Sequence, residues 1–356
     1  MRHAVIMAGG AGLRLWPLSR HDRPKQLLRL FGGSSLLRAS YDRVAGLFPP
    51  DQINVITSES YRNLVAQELP ELPTANILGE PVGRDTANAV GLAGAVLRQR
   101  DAEAVIGVFT ADHMITPLEA FHRVVERAYR VAETREDVLV TIGIRPSRAD
   151  TNYGYIHRGT PLGDDVYEVR KFTEKPAVGA AMKYLASGEY YWNSGMFVWR
   201  AATILDQLKK QLPQSHRAIQ EIAEVWGTPE GTHRLDSHYP ALMRISIDFA
   251  VLERAERVVV LEMDCHWVDV GSWPSIESVI QADAEGNVNA CGDVVHLASR
   301  GNIVVSEVKH LIATVGVDDL VIVHSPDATL ICTKRDASGI KELLENVRRQ
   351  YGDHYA

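Results

Sequence analysis

The chain has 356 residues, of which 46% are hydrophobic and 23% are charged, and its formal net charge is -7. This length predicts one large domain and a smaller one. The negative charge argues against a broad basic surface for nucleic acid, and no apolar stretch is long enough to cross a membrane. The first residues lack a signal-peptide pattern. Three widely separated cysteines, Cys265, Cys291 and Cys332, fit neither a disulfide framework nor a zinc site and predict a cytoplasmic protein.

Short apolar, β-branched runs alternate with amphipathic segments in the first 145 residues. The predicted strands occupy residues 3–8, 53–58, 104–111 and 137–144. The predicted helices occupy residues 86–100 and 118–133. This alternation predicts an α/β fold, with a Rossmann-like mixed, mostly parallel sheet covered by helices.

The pattern changes twice in the rest of the chain. Residues 145–195 are rich in Gly, Tyr and Trp and predict short substrate-facing strands, followed by a helix at 201–226 and a strand at 258–270. Beyond residue 286, short strands and turns precede a closing helix at 337–351, which predicts a small β-helix-like domain. We therefore expect a catalytic domain at residues 1–285 and a C-terminal β domain at residues 286–356, the latter a candidate interface for a homodimer.

A glycine-rich loop follows the first predicted strand, in the sequence AGGAGLRLWPLSRHDRPKQL at residues 8–27. Its glycines allow backbone N–H groups to approach a phosphate, and Arg14 and Lys25 supply cationic donors. Leu15 replaces the third glycine of a dinucleotide fingerprint, and the Gly-Lys-Ser/Thr of a P-loop is absent. A plain strand-to-helix turn would leave the nearby Arg20 and Arg23 unexplained.

The pattern GG-x-G-x-R-L-W-P-L-S-R followed by P-K-Q resembles the signature of the mannose-1-phosphate guanylyltransferases, which have the nucleotide-diphospho-sugar transferase fold. The resemblance covers nearly the whole chain. It implies an enzyme that converts GTP and mannose 1-phosphate to GDP-mannose and pyrophosphate with Mg²⁺. Within the loop, the expected nucleotide-binding residues are Ala8, Gly9, Gly10, Gly12, Arg14 and Lys25.

The segment GEPVGRDTANA, at residues 79–89, is similar to the part of the family that approaches the nucleoside. The Glu80 carboxylate can pair with the N1–H and 2-amino groups of guanine, which adenine lacks. Arg84, Asp85 and Thr86 join Glu80 as expected nucleotide-binding residues. The family more often has Asn and Pro where this chain has Asp85 and Asn88. The alternative interpretation is a helix start, with Asp85 or Thr86 as N-cap.

Two aspartates end apolar strands about 150 residues apart. Asp112 lies in FTADHMI, and Asp269 lies in CHWVDVGSW. The carboxyl ends of strands are where ligands bind in open α/β sheets, and two carboxylates suit Mg²⁺. The resemblance assigns both residues to Mg²⁺ and Asp112 also to the nucleotide. Asp112 alone would equally fit a cap or loop position.

Two further regions resemble the family's sugar-phosphate site. In RKFTEKP, the resemblance assigns Lys175 to the phosphate and Glu174 to sugar hydroxyls; the alternative is an exposed ion pair. The remaining expected mannose-binding residues are Tyr153, Gly154, Asn193 and Gly195. Three aromatic residues are assigned to the core instead, namely Trp192, Phe197 and Trp199. Asp248, in ISIDFAVLE, fits a helix cap slightly better than a supporting role in the site.

The expected catalytic residues are Arg14, Lys25, Asp112, Lys175 and Asp269. One alternative is the same fold with another nucleotide or sugar, such as heptose 1-phosphate. Another is a non-catalytic regulatory subunit that binds GDP-mannose, against which the complete set of charged residues argues. A bifunctional enzyme that also isomerises mannose 6-phosphate is disfavoured, because 70 residues beyond Gly286 are few for a further barrel.

Overall fold

The computed structural model describes residues 1–31, 33–290 and 292–356. Cys291 therefore lies outside the described residues. Up to residue 270 the strands are β1 (Arg2–Met7), β2 (Ile53–Ser58), β3 (Ile77–Glu80), β4 (Val105–Thr110), β5 (His113–Thr116), β6 (Leu139–Ile144), β7 (Tyr155–Pro161), β8 (Val166–Thr173), β9 (Tyr190–Arg200), β10 (Val258–Met263) and β11 (His266–Asp269). Over the same length the α-helices are α1 (Leu36–Ala45), α2 (Arg62–Glu68), α3 (Asp85–Arg100), α4 (Leu118–Thr134), α5 (Val178–Ser187), α6 (Ala201–Gln211), α7 (Pro213–Ala223) and α8 (Pro229–His238).

The remaining residues form short strands and one closing helix. These are β12 (Val288–Ala290), β13 (Val294–Leu297), β14 (Ile303–Ser306), β15 (Ile312–Val315), β16 (Leu320–His324), β17 (Thr329–Thr333) and α9 (Ile340–Tyr351). No α-helix within the described ranges is both long and apolar enough to cross a membrane.

Contacts divide the described chain into two compact units, each assembled from segments that are distant in sequence. The first unit comprises Met1–Gly9, Tyr41–Thr110 and Ile115–His266. The second comprises Gly10–Ser40, Ala111–Met114 and Trp267–Ala356. The division into a catalytic domain at residues 1–285 and a β domain at residues 286–356 stays a prediction.

The first unit contains a mixed sheet. Among the described residues it has nine strands in the order β3-β2-β1-β4-β9-β6-β10-β8-β7. Strand β1 is parallel to β2 and β4, and β6 is parallel to β10, whereas β9 is antiparallel to both β4 and β6. The predicted α/β class with a Rossmann-like mixed sheet is confirmed.

Helix α3 is buried between other elements of the first unit. Almost all of its residues from Ala87 to Leu97 are buried, as expected for its alanine-rich apolar sequence. A methyl group on Gly91 would come within 2.8 Å of Leu208 and 3.0 Å of Ile219, so the missing side chain allows α6 and α7 to pack closely. This tight packing fixes the middle of α3, the helix that begins at the predicted nucleotide-binding residues.

Three local predictions need correction. The single helix predicted at 201–226 is two helices, because Pro213 lacks the N–H that would continue α6. The strand predicted at 258–270 is divided into β10 and β11. The region 145–195, predicted as strands, also contains α5, which ends at Gly188 in the left-handed conformation with φ 66°.

The second unit contains stacked parallel strands. Val288 on β12 pairs with Ile303 on β14, Ile303 pairs with Val321 on β16, and Val294 on β13 pairs with Ile312 on β15. Buried asparagines support the turns between layers. The Asn287 side-chain oxygen accepts from the Asn302 backbone N–H at 3.0 Å, and Asn302 accepts in the same way from Leu320 at 3.0 Å. The predicted β-helix-like domain with a closing helix is confirmed.

Candidate functional site

The glycine-rich loop in the second unit is folded tightly around Lys25. Gly10 and Gly12 have φ values of 85° and 66°, which favour glycine. A methyl group on Gly12 would overlap the aliphatic stem of Lys25. The Lys25 N–H donates to the Ala11 carbonyl at 3.1 Å, and the Gln26 amide donates to the Gly10 carbonyl at 3.1 Å. The predicted loop residues in this unit therefore form one local structure.

Lys25 forms an ion pair with Asp112, whose side chain is largely buried. Asp269 is brought close because the Val270 N–H donates to the Asp112 carbonyl at 3.0 Å. Burial opposes the charge on Lys25, but Asp112 and Asp269 outweigh it and raise the pKa of Lys25. Burial likewise opposes the charge on Asp112, yet Lys25 holds the pKa of Asp112 below its ordinary value. Lys25 and Asp112 therefore both stay ionised near neutral pH.

Asp112 and Asp269, together with His113, form a group that could hold a divalent cation. One ligand atom from each of the three residues lies within 4.8 Å of the others. The Trp267 indole N–H donates to His113 Nδ1 at 3.2 Å, so the proton of the neutral ring is on Nε2. Nε2 faces Asp112 Oδ1 at 3.8 Å. In this tautomer His113 presents an N–H, not a lone pair, toward Asp112, so the two aspartates are the stronger candidates for metal ligands.

Arg14 lies beside the same cluster. A methyl group on Gly271 would be 3.2 Å from Arg14 Nη2 and 3.4 Å from Asp269 Oδ2, so both side chains border the Gly271 backbone. Arg20 and Arg23 have a different environment. Arg20 pairs with Asp327 at 2.7 Å and Arg23 pairs with Glu307, so their presence is explained without a phosphate.

Ala8 and Glu80, from the predicted nucleotide set, lie in the first unit with Gly9. The Ala8 N–H donates to the Ile56 carbonyl at 2.8 Å, which continues the β1 pairing. Glu80 is only 5% exposed and accepts a 2.6 Å hydrogen bond from the Tyr239 hydroxyl. Burial raises the pKa of Glu80 to about 7, against the Tyr239 hydrogen bond that lowers it. A methyl group on Gly9 would be 3.7 Å from Glu80 Oε2.

The segment after Glu80 also lies in the first unit, and it corrects the predicted helix cap. The N-cap of α3 is Arg84, without a side-chain cap, and the Asp85 carboxylate accepts from the adjacent Thr86 N–H at 2.8 Å. The Thr86 hydroxyl accepts from the Ile247 N–H at 2.8 Å. Arg84 donates to the Pro240 carbonyl. These bonds tie the helix start to residues 240–247.

The predicted sugar-binding residues form a second cluster in the first unit. The Asn193 N–H donates to the Gly154 carbonyl at 2.8 Å, and the Asn193 side-chain oxygen accepts from the Gly195 N–H at 3.1 Å. A methyl group on Gly154 would overlap the Glu174 carboxylate. Lys175 is 64% exposed and lies 3.2 Å from Glu174. The structure thus brings together these residues from three distant motifs.

Aromatic side chains pack beside this cluster. Tyr153 contacts Trp192 edge to face, with 5.2 Å between ring centroids. Trp192, Phe197 and Trp199 are buried, which confirms their assignment to the core. Tyr153 therefore lies beside the cluster and packs against the buried Trp192 ring.

Asp248 belongs to the same cluster, although sequence reasoning slightly favoured a helix cap. It accepts a 2.9 Å hydrogen bond from the Asn193 amide and makes no side-chain cap. Burial and the nearby Glu174 charge raise the pKa of Asp248 to about 7. The family-like motif ISIDFAVLE was the signal that could have placed Asp248 here. Because the buried Asp248 carboxyl contacts Asn193, a predicted sugar-binding residue, it is a candidate for orienting the Asn193 side chain.

Comparisons with known proteins agree over both parts of the chain. The Nucleotidyl transferase family model matches residues 3–286, and the MannoseP isomerase/GMP-like beta-helix domain matches residues 292–347. A mannose-1-phosphate guanylyltransferase of Salmonella typhimurium is 39% identical over 99% of this chain and 73% of its own length. One from Klebsiella pneumoniae is 40% identical over 98% of this chain and 75% of its own. A Thermus thermophilus structure named a mannose-1-phosphate geranyltransferase has 36% identity and a TM-score of 0.88, covering 98% of this chain and 99% of that one.

Proposed function

We infer that this chain, which belongs to the mannose-1-phosphate guanylyltransferases of the nucleotidyl transferase family, transfers GMP from GTP to α-D-mannose 1-phosphate. The products are GDP-mannose and pyrophosphate. The observation that carries this function is the cluster of Lys25, Asp112 and Asp269 at the glycine-rich loop. The cluster combines backbone N–H groups suited to phosphate, the buried ammonium group of Lys25, and the carboxylates of Asp112 and Asp269.

The reaction is a displacement at phosphorus. A phosphate oxygen of mannose 1-phosphate attacks the α-phosphorus of GTP, the new P–O bond forms, and the bond to pyrophosphate breaks. The attacking phosphate is already ionised, so the protein needs no nucleophile or general base. Its task is to align two anions in line and to offset their repulsion.

Lys25, Arg14 and the amides of Gly10 and Gly12 bind the β- and γ-phosphates in this proposal. The raised pKa of Lys25 keeps it cationic while pyrophosphate leaves. Preorganised donors of this kind stabilise developing charge without having to reorganise. The tight packing of Gly12 on the Lys25 stem limits where the ammonium group can move.

We propose that the divalent cation is Mg²⁺ and that Asp112 and Asp269 hold it. Carboxylate oxygens are hard donors that suit Mg²⁺, and the two side chains lie close enough to share an ion. When bound, Mg²⁺ would neutralise charge on the α-phosphate. His113 Nε2 lies 3.8 Å from Asp112 Oδ1 and is a polar neighbour of this proposed ligand.

Sugar-phosphate binding is assigned to the cluster around Asn193. Lys175 is exposed and cationic, which suits a phosphate, and Glu174 and Asn193 offer hydrogen bonds to sugar hydroxyls. Tyr153 presents an aromatic surface and Gly154 leaves room beside Glu174. The Gly195 N–H orients the Asn193 amide.

Guanine selection is assigned to Glu80, with Arg84, Asp85 and Thr86 forming the adjoining backbone and helix start. Ionised Glu80 can accept hydrogen bonds from both N1–H and the 2-amino group of guanine, and adenine cannot supply that pair. An unmatched buried polar group costs about 1–3 kcal/mol, which gives base choice a physical origin.

A pyrophosphate-release assay tests the proposal by crossing four nucleoside triphosphates with mannose 1-phosphate and glucose 1-phosphate. We expect GTP with mannose 1-phosphate to give the highest kcat/KM. Preference for another pair would identify a different nucleotidyltransferase. GDP-mannose binding without any pyrophosphate release would indicate a regulatory subunit.

Lys25→Ala tests the cluster itself. Turnover is expected to fall by about 100-fold, because a preorganised cation is lost from the site. Circular dichroism should show the variant folded at the assay temperature. Lys209→Ala, at an exposed position on α6, is the matched control. Near wild-type turnover by Lys25→Ala would remove this residue from the mechanism.

A further inference from the structure

Within the glycine-rich loop, residues 16–23 lie between its glycines and Lys25, and we call them the bridging segment. Arg20 is largely buried and donates to Asp327 from both terminal nitrogens, at 2.7 and 3.1 Å. Arg23 forms an ion pair with Glu307. Two-point pairing by arginine fixes direction as well as distance. The bridging segment is thus held by two acidic residues from the C-terminal strands and turns of the same unit.

Indole hydrogen bonds hold the same segment. The Trp16 N–H donates to the Tyr355 carbonyl at 2.6 Å, and the Trp273 N–H donates to the Trp16 carbonyl at 2.9 Å. Leu18 and Trp16 share a buried core with residues of the β strands and of α9. Burial of these side chains opposes separation of the segment from the C-terminal strands.

The bridging segment is also hydrogen-bonded to Gly12 of the loop. The Ser19 hydroxyl donates to the Gly12 carbonyl at 2.8 Å, and Arg20 Nε donates to the Pro17 carbonyl at 2.8 Å. Gly12 is the residue whose backbone packs on the Lys25 stem. A continuous series of contacts therefore runs from Asp327 through Arg20 and Ser19 to the backbone that confines Lys25.

We propose that Arg20 is a positioning residue, and that its pairing with Asp327 holds the glycine-rich loop and Lys25 in the arrangement that binds the triphosphate. The C-terminal strands then have a role in nucleotide binding without touching the nucleotide. This inference rests on the proposed function of the loop. It differs from direct phosphate binding by Arg20, because the Arg20 guanidinium is already hydrogen-bonded to the Asp327 carboxylate.

Five variants distinguish these roles: Arg20→Ala, Asp327→Asn, the double variant of these two, the charge exchange Arg20→Glu with Asp327→Arg, and the conservative Arg20→Lys. We expect either single change to raise KM for GTP about tenfold, equivalent to about 1.4 kcal/mol, with KM for mannose 1-phosphate unchanged. The double variant should be no worse than either single one, because both break the same contact. The charge exchange and the conservative Arg20→Lys should recover part of the affinity.

Arg257→Ala is the matched control, because it breaks the exposed ion pair with Asp137, which lies in the first unit. Unchanged or tighter GTP binding by Asp327→Asn, with weaker binding by Arg20→Ala, would mean that Arg20 contacts phosphate directly and would overturn the proposal. Equal increases in both KM values that follow a lowered Tm would overturn it too. Calorimetric titration with GTP alone applies the same comparison, so it remains decisive even if GMP transfer itself is not observed.

Discussion

In its proposed role, Glu80 would couple base recognition to pH through one buried side chain. Its carboxyl is enclosed, accepts from Tyr239, and has its pKa raised by burial to about 7. Only the ionised form can accept both hydrogen bonds from guanine. If Glu80 reads guanine as proposed, the free protein near neutral pH is a mixture of an ionised form that accepts these hydrogen bonds and a protonated form that does not.

We expect KM for GTP to decrease as pH rises from 6 to 8, because deprotonation of Glu80 creates the binding form. Below its pKa the ionised fraction falls about tenfold for each pH unit. Glu80→Gln should raise KM for GTP and make it less dependent on pH. It should also reduce the preference for GTP over ATP. The measurement is KM for each nucleotide at several pH values, compared between wild type and variant because GTP itself also titrates.

Glu103→Gln is the control for Glu80, since Glu103 is 80% exposed in the first unit. A profile for Glu80→Gln that matches wild type would show that Glu80 does not read the base.

Most of the candidate site residues can be proposed from the sequence because they lie within short motifs, as Lys25 does in the glycine-rich loop. The side-chain contacts that surround these residues could not be predicted. His113 contacts Asp112 through a ring tautomer set by Trp267, more than 150 residues away. Asp248 reaches Asn193 through folding of separate segments. Side-chain partners at such sequence distances depend on the fold, which a local pattern does not contain.

The glycine-rich loop shows at the level of an element why two similar glycines differ. Gly10 and Gly12 both have positive φ, but a methyl group meets open space at Gly10 and the Lys25 stem at Gly12. Backbone strain is common to both positions, with a cost on the order of 1 kcal/mol. Displacement of Lys25 is specific to Gly12.

Gly12→Ala should therefore lower turnover by about 100-fold, close to the effect of Lys25→Ala, because the ammonium group is moved from the phosphates. Gly10→Ala is the matched control and should lose a comparable amount of stability with a smaller loss of turnover. Steady-state kinetics and urea unfolding of the two variants make the comparison. Equal losses of turnover would indicate that backbone strain, and not contact with Lys25, decides activity.

Elements with a strong local signal were predicted closely, whereas interruptions were not. Strand β2 matches its prediction at residues 53–58, and α3 begins one residue before the predicted start. The division between β10 and β11 escaped prediction because apolar residues, such as Met263 before it and Trp267 after it, occur on both sides of the break. Helix α5 was missed because it is short and largely exposed, so its sequence has little amphipathic pattern.

The free energy of unfolding of the whole molecule should depend on pH through its buried carboxyl groups. Glu80 and Asp248 each have a pKa of about 7 in the folded protein, raised first by burial, compared with ordinary values of 4.5 and 3.8. Between about pH 4 and 7 the folded protein keeps protons that the unfolded chain releases. The contribution of these groups to stability is therefore greatest at low pH and declines as pH rises through this window.

Asp248→Asn removes one of these charges and keeps an oxygen that can accept from Asn193. At pH 8 we expect the variant to have a free energy of unfolding about 2 kcal/mol higher than wild type, with no gain at pH 4. Urea unfolding at the two pH values measures the difference, and Asp137→Asn, at an exposed position, is the control. An equal change at both pH values would mean that packing, and not ionisation, causes it. Activity of the more stable variant should nevertheless fall, because the orientation of Asn193 then depends on a neutral partner.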